Sequence, residues 1–357
     1  MKPLELIRDI TTNIKIQSSN FNVSHDNYKL ANVPPELVKQ MQKLPNSIQE
    51  KYMSSQLINL LYSIYHEGTP LKPKQSKLIL DESLGLEQAN FEVDWEFCTK
   101  LHYNNRGQGS FHPNFKVLRK GSDGNLSVKN LGVILSIDPK RHLRPEEQSV
   151  NVGDDVAITM PSSQLRLGYY VAIGNAIYPP GKLSILLYLN FSPEGAFSII
   201  NELTAKLNKL EVFFNFLVNY NPANYGGHYS GILRFYREEY TQVSQVIEKI
   251  YQDNQSYFKF SIPAFTKKLA PGLGLAEDPE KPFIFLENCS MNRCQIIANA
   301  LLEAHYKHDE SPSARMKYII KHFENAGIDL ERPYINPGSE DIYTPLDIIN
   351  LSENLTV

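Results

Sequence analysis

The chain has 357 residues, of which 42% are apolar, 11% aromatic and only 21% charged; a disordered chain would show the reverse balance, so this is a folded protein with material for a large core. Lys and Arg number 36 against 39 Asp and Glu, a formal charge of −3, which excludes a global electrostatic footprint for nucleic acid or an anionic membrane and leaves open only a local basic groove. Three cysteines, Cys98, Cys289 and Cys294, make no disulfide framework and show no zinc spacing, as expected of reduced thiols in a cytoplasmic protein.

From Met1 to about Asn90 the pattern is helical. Ile48, Tyr52, Leu57, Ile58, Leu61, Ile64 and Tyr65 recur at helical spacings, Pro34, Pro35 and Pro45 punctuate what precedes, and Gly68 offers a stop. The N-terminus mixes charge into its apolar positions and lacks the apolar stretch of a secretory signal. A polar linker follows from Gly68 to Gln88, and Asp94-Trp95 opens a short helix toward His102.

Between Phe115 and Asn190 the period changes to that of strands. PNFKVLR, GNLSVK, GVILSI, DVAITM, GYYVAIGNA and SILLYLN are separated by Gly, Pro and Asp turns and predict an antiparallel sheet. The run from Leu183 to Phe191 is too short to span a bilayer. Ser192-Pro193-Glu194 supplies a cap, a first-turn proline and an acid, predicting a helix over Pro193 to Asn208. Phe213 to Val218 reads as a strand, NYNPANYGGHYSG as a turn-forming loop and ILRF as the next strand; a helix is expected over Glu238 to Tyr251. IPAFTKKLAPGLGLAEDP reads as irregular, before helices over Asn292 to Lys307 and after Ser311-Pro312. The expected fold class is α+β: an N-terminal helical region, 1–110, and an α+β region, 111–357, with one antiparallel sheet and helices packed against it as one unit.

Familiar chemical motifs are missing. Neither Gly107-Gln108-Gly109 nor Gly272-Leu273-Gly274 fits a dinucleotide or P-loop fingerprint, and there is no GxSxG, HExxH or Cys-X-X-Cys. The loop LHYNNRGQGSFHPNF, 101–115, is dense in donors, which suits either a binding loop or a turn whose Asn and Gly serve backbone geometry. Lys267, Lys268 and Arg293 are candidates for an anion site.

In order along the chain, LHYNNRGQGSF, GDDVAITMP, YYVAIGNA, YLNFSPEGA, NPANYGGHYSG, IPAFTKKLAPGLGLAEDP, SMNRCQIIANALLEA and ERPYINPGSEDIYTPL resemble the HopA-type type III secretion effector family, in particular its cyanobacterial members. The resemblance implies a fold akin to phosphothreonine lyases. Some relatives eliminate phosphate from phosphoserine or phosphothreonine in a ribosomal precursor peptide, after a kinase-like partner has added it, in lanthipeptide-type maturation. Such relatives carry a Lys base where this chain has Leu217, and phosphate-gripping Arg residues where it has Leu186 and Gly227; Tyr229 replaces an Asp. Tyr188, Asn190, Lys267, Glu277, Asp278 and Arg293 match.

Leucine cannot abstract a proton, so the resemblance implies a pseudoenzyme that binds a precursor peptide in a cleft lined by Leu186, Leu217, Tyr188, Tyr225 and Tyr229, with no metal or organic cofactor, no nucleic acid and no membrane partner. The alternative is an active phospholyase with Tyr188, His228 and Tyr229 as proton carriers and Lys267, Arg293 and Asn190 around the phosphate. A third reading is an effector-like protein that binds cellular proteins.

Overall fold

The computed structural model describes residues 2–28, 32–69, 92–177, 181–280 and 288–347. Most of the sequence linker therefore lies outside the described residues. The chain opens with helix α1 (Pro3–Asn13), a hairpin of β1 (Ile14–Gln17) and β2 (Asn22–His25), and helices α2 (Pro35–Met41) and α3 (Asn46–Leu61). The end of α3 widens into a π-helical turn, Tyr62–Glu67, that stops at Gly68 with φ 74°. Glycine takes that left-handed conformation without the Cβ clash. Helix α4 (Trp95–Asn104) begins where Asp94 accepts the Phe97 N–H at 2.9 Å, an N-cap contributing about 1 kcal/mol.

A four-stranded antiparallel sheet follows, built from β3 (Ser110–Lys120), β4 (Leu126–Asn130), β5 (Val133–Ile137) and β6 (Asp155–Met160) in the order β5-β4-β3-β6, with the short helix α5 (Pro139–His142) after β5. It keeps its own small core of Phe115, Val117, Val128, Ile137, Val156 and Ile158. Beyond Pro161, which has no N–H to give a ladder, the chain leaves this sheet and starts another. That second sheet contains β7 (Ser163–Arg166), β8 (Tyr169–Ile173), β9 (Ser184–Leu189), β10 (Phe214–Asn219), β11 (Gly231–Tyr236), β12 (Lys267–Ala270) and β13 (Leu273–Glu277), in the order β12-β13-β9-β11-β10-β8-β7, all antiparallel.

The single sheet expected from sequence is thus two, besides the two-stranded β1–β2 hairpin, which falls in the region expected to be helical. The segment expected to be irregular supplies the hairpin β12–β13, turned at Pro271-Gly272 with Gly272 at φ 69°. Its second strand is buried at all five positions, so the alternation that marks a half-exposed strand is missing.

One face of the seven-stranded sheet is dry. Ile185, Leu187, Leu189, Phe214, Phe216, Val218, Leu233 and Phe235 pack with α6 (Gly195–Lys209) and α7 (Tyr240–Asp253), each buried side chain contributing about 1.5–3 kcal/mol. Helix α6 starts two residues later than expected because Ser192-Pro193-Glu194 forms a turn, the Gly195 N–H reaching the Ser192 carbonyl at 3.1 Å. Helices α8 (Cys289–Tyr306) and α9 (Pro312–Asn325), capped by Asn288 and Ser311, bury Ile297, Leu301, Ile319 and Phe323 against Ile7, Ile10, Leu57 and Leu60. The first and last helices therefore share one core.

Candidate functional site

The second face of the seven-stranded sheet carries the candidate residues. Directly paired residues of neighbouring strands project to the same side, so the register defines two rows. One runs Gln164, Val171, Leu217, Ile232, Tyr188, Gly274 and ends at the exposed Lys268; the next runs Ile173, Asn215, Arg234, Leu186, Ala276. Leu217, Ile232, Arg234, Asn215 and Ile173 are half-buried, whereas Val171, Tyr188 and Leu186 are buried. Apolar side chains left partly open in the middle of a sheet, next to one cation, form a surface rather than a core.

The π-helical turn closes one end of this face. His66 is fully buried, stacked on Tyr62 with ring centroids 4.4 Å apart and edge-on to Tyr188 at 5.0 Å. The Tyr229 ring lies 5.4 Å from Tyr188 and 5.2 Å from His66, and Tyr229 is hydrogen-bonded to Tyr169. Tyr62 accepts the Asn288 side-chain N–H at 2.9 Å. Among the described residues neither ring nitrogen of His66 nor the Tyr188 hydroxyl has a hydrogen-bond partner, a cost of about 1–3 kcal/mol for each buried polar group left unpaired.

Electrostatics follow from this dryness. Burial drives the His66 imidazole down to about 3, with His228 adding a second push. Burial lifts the Glu67 carboxyl to about 7 and the Tyr169 phenol to about 12. Tyr188 and Tyr229 are raised well above the usual tyrosine value, again by burial. Near neutral pH the tyrosines are therefore hydroxyl donors, and Glu67, which interacts with both Tyr169 and Tyr229, is the group poised to exchange a proton.

Of the residues expected to line the cleft, Leu186, Tyr188 and Leu217 share this face and Tyr229 packs on it. Tyr225 does not. Its ring belongs to the opposite, dry core against Phe97 and Phe191, and its hydroxyl donates to the Asn219 carbonyl at 2.9 Å. The donors of Asn190 are also spoken for. Its side-chain amide donates to Gly227 O, Ser261 O and Ser261 Oγ at 2.9–3.1 Å, which ties loops together.

His228 terminates the π-helical turn. Its N–H donates to the Glu67 carbonyl at 2.8 Å and its Nδ1 lies 3.3 Å from the Tyr65 carbonyl; burial lowers its pKa, while its bonds to the Tyr65 and His66 backbone act the other way. Lys267 pairs with Asp341 at 2.7 Å. Arg293 is buried, and its guanidinium donates to Pro333 O (2.8 Å), Ile335 O (2.9 Å) and Asn292 Oδ1 (2.5 Å). Its donors therefore hold the 333–335 segment.

The donor-rich loop after α4 also uses its groups internally. Asn105 accepts the Gly107 N–H at 2.9 Å and donates to Ser162 O, and the Arg106 N–H reaches Thr204 Oγ1 at 2.9 Å.

Arg234, His66, Glu67 and Tyr169 were not singled out from sequence. Arg234 carries the greatest weight, because it is a cation on the open face, 2.9 Å from Asp278, with a buried Nε that has no partner among the described residues. Strand alternation in ILRF already placed it on the side of Ile232.

Residues 160–335 match the HopA1 effector protein family. Two solved structures are similar, both of effector proteins from Pseudomonas syringae. That from pathovar syringae strain 61 is 14% identical, over 68% of this chain and 80% of that one, with a TM-score of 0.42. That from pathovar tomato strain DC3000 is 17% identical, over 84% of this chain and 95% of that one, also with a TM-score of 0.42. No curated protein matches the chain.

Proposed function

Residues 160–335 of this chain match the HopA1 effector protein family, and from that premise we propose that the protein binds a peptide on the open face of its seven-stranded sheet. The observation that carries this reading is the half-buried pair Leu217 and Ile232, side by side between Val171 and Tyr188, with Arg234 in the adjacent row. The apolar row suits aliphatic or aromatic side chains of the ligand. Arg234 suits an acidic or phosphorylated one, since a guanidinium grips carboxylate or phosphate through paired N–H donors.

A ribosomal precursor peptide in natural product maturation, phosphorylated by a kinase-like partner, is the ligand class proposed. Elimination is disfavoured by Leu217 at the position that the resemblance assigns to the relatives' base; of the cations that the register puts on this face, Arg234 lies beside Leu217, whereas Lys268 and Arg166 stand on its two outer strands. One observation favours elimination all the same: Glu67, near neutrality, lies beside the two hydrogen-bonded tyrosines. In that reading Glu67 takes the Cα proton, the released electron pair forms the Cα=Cβ bond, and the Cβ–O bond breaks as phosphate leaves with a proton from a tyrosine.

The two readings separate in one experiment. Fluorescence anisotropy with paired phosphothreonine and threonine peptides, followed by mass spectrometry for loss of phosphoric acid, should show phosphate-dependent binding without turnover. Arg234→Gln should remove the preference for phosphate. Turnover that Glu67→Gln abolishes would establish the lyase instead, and a phosphate preference that Arg234→Gln leaves at the wild-type level would leave Arg234 without a role.

A further inference from the structure

The hairpin β4–β5 breaks three ordinary rules at once. Its last backbone pair is Asn130 with Val133, so Leu131 and Gly132 form a two-residue turn, with φ of 45° and 87°. Such turns favour Asn-Gly, because a branched apolar residue in the left-handed region is strained. Here that residue is a leucine with 98% of its surface exposed. Next to it, Val133 and Ile134 are 56% and 60% exposed. Adjacent strand residues point to opposite sides, so the tip is apolar on both faces.

The third departure is electrostatic. Lys116 stands directly opposite Lys129, and Lys129 directly opposite Ile134; like charges facing each other across a pair destabilise it. Asp155 is the other cross-strand neighbour of Lys116, yet among the described residues neither lysine forms an ion pair. Residues 127–136 contain no acid. The hairpin also lies outside the family match at 160–335.

We propose that this hairpin docks on an anionic lipid surface, with Leu131, Val133 and Ile134 entering the acyl boundary and Lys116 and Lys129 meeting the headgroups. A strand added to the free edge of β5 would pair backbone but leave Leu131 beyond the last pair. A flat protein surface would cover one face of the tip. A bilayer surrounds both faces, and the two unpaired lysines set back from the tip complement its charge. No described helix is long and apolar enough to cross a membrane, so the contact is peripheral.

The test is co-sedimentation of the full chain with vesicles of phosphatidylcholine alone or mixed with phosphatidylserine. Retention is expected on the mixed vesicles only and should fall as salt is raised. Leu131→Asn, which suits the left-handed turn and should leave the melting temperature unchanged or higher, is expected to weaken retention roughly tenfold. Lys116→Glu with Lys129→Glu should abolish it, at roughly fivefold per charge or more, and Leu131→Trp should strengthen it. No retention of the wild type on anionic vesicles, or retention that Leu131→Asn leaves unchanged, would overturn the proposal. So would self-association without vesicle binding that Leu131→Asn removes, since the occupant would then be a second copy of the chain.

Discussion

Arg234 on β11 stands directly opposite Leu186 on β9. The resemblance to phosphate-eliminating relatives implies an arginine at position 186; the register puts a guanidinium directly across from that position, on the neighbouring strand. There it pairs with Asp278 at 2.9 Å. A displaced and paired cation suits holding a ligand's anionic group better than stabilising the several charges of a departing phosphate.

Leu186→Arg tests this arrangement. It places two guanidinium groups opposite each other, which costs the free protein about 0.2–1 kcal/mol in cross-strand repulsion. A phosphopeptide would relieve that repulsion. Calorimetry should show phosphopeptide affinity rising on the order of tenfold, from one added charged hydrogen bond, with little change for the unphosphorylated peptide. Equal gains for both peptides would mean that the anion does not sit between the two positions.

His66 and Glu67 act on stability with opposite signs as pH changes. Glu67 has its folded pKa raised to about 7, so from about 4.5 upward the unfolded chain loses a proton that the folded chain keeps, and stability falls until pH passes 7. His66 has its folded pKa lowered to about 3; the unfolded imidazole takes a proton below about 6.5, and stability falls as pH falls toward 3. Between about 4.5 and 6.5 the two slopes oppose each other. Denaturant melts of Glu67→Gln should show less loss between pH 5 and 7 than the wild type, in a ratio that a surface Glu→Gln control does not reproduce.

His66→Phe should stabilise the protein. The phenyl ring keeps the stack on Tyr62 and the edge contact with Tyr188, while two buried nitrogens without partners disappear. The gain expected is about 1–3 kcal/mol, read as a rise in melting temperature together with loss of the acid-side slope. A lower melting temperature would show that the imidazole has a partner in solution, such as a buried water.

How far the sequence revealed this molecule depends on where each signal is stored. The caps at Asp94 and Ser311 and the stop at Gly68 are local, and the structure uses all three. The hairpin β12–β13 escaped because Leu273–Glu277 is buried on both sides, although its Pro271-Gly272 turn was visible. Tyr225 and Tyr229 stand four residues apart in one loop and end on opposite faces of the sheet, a choice made by Phe97 and Phe191 on one side and Tyr188 and His66 on the other. No pattern within the loop encodes that. Arg234 was legible by alternation, but its neighbour Leu186 is 48 residues away in sequence and only the register brings them together.

The resemblance matches Gly227 to an arginine of phosphate-eliminating relatives, and the geometry here leaves no room for a side chain. A Cβ at Gly227 would lie 2.3 Å from the Glu67 carbonyl oxygen, which already accepts the His228 N–H at 2.8 Å. The obstacle is backbone at the end of the π-helical turn, so neither partner can swing away. Gly227→Ala should therefore cost about 1–3 kcal/mol through forced backbone movement, seen as a melting temperature several degrees lower, and Gly227→Arg should fail in the same way without restoring a phosphate contact. Gly226→Ala is the control, since nothing lies within 4 Å of a Cβ built at Gly226; it should melt at or slightly above the wild-type temperature. If both variants melt together, the 227–67 contact does not constrain the loop, and the relatives' arginine is absent for another reason.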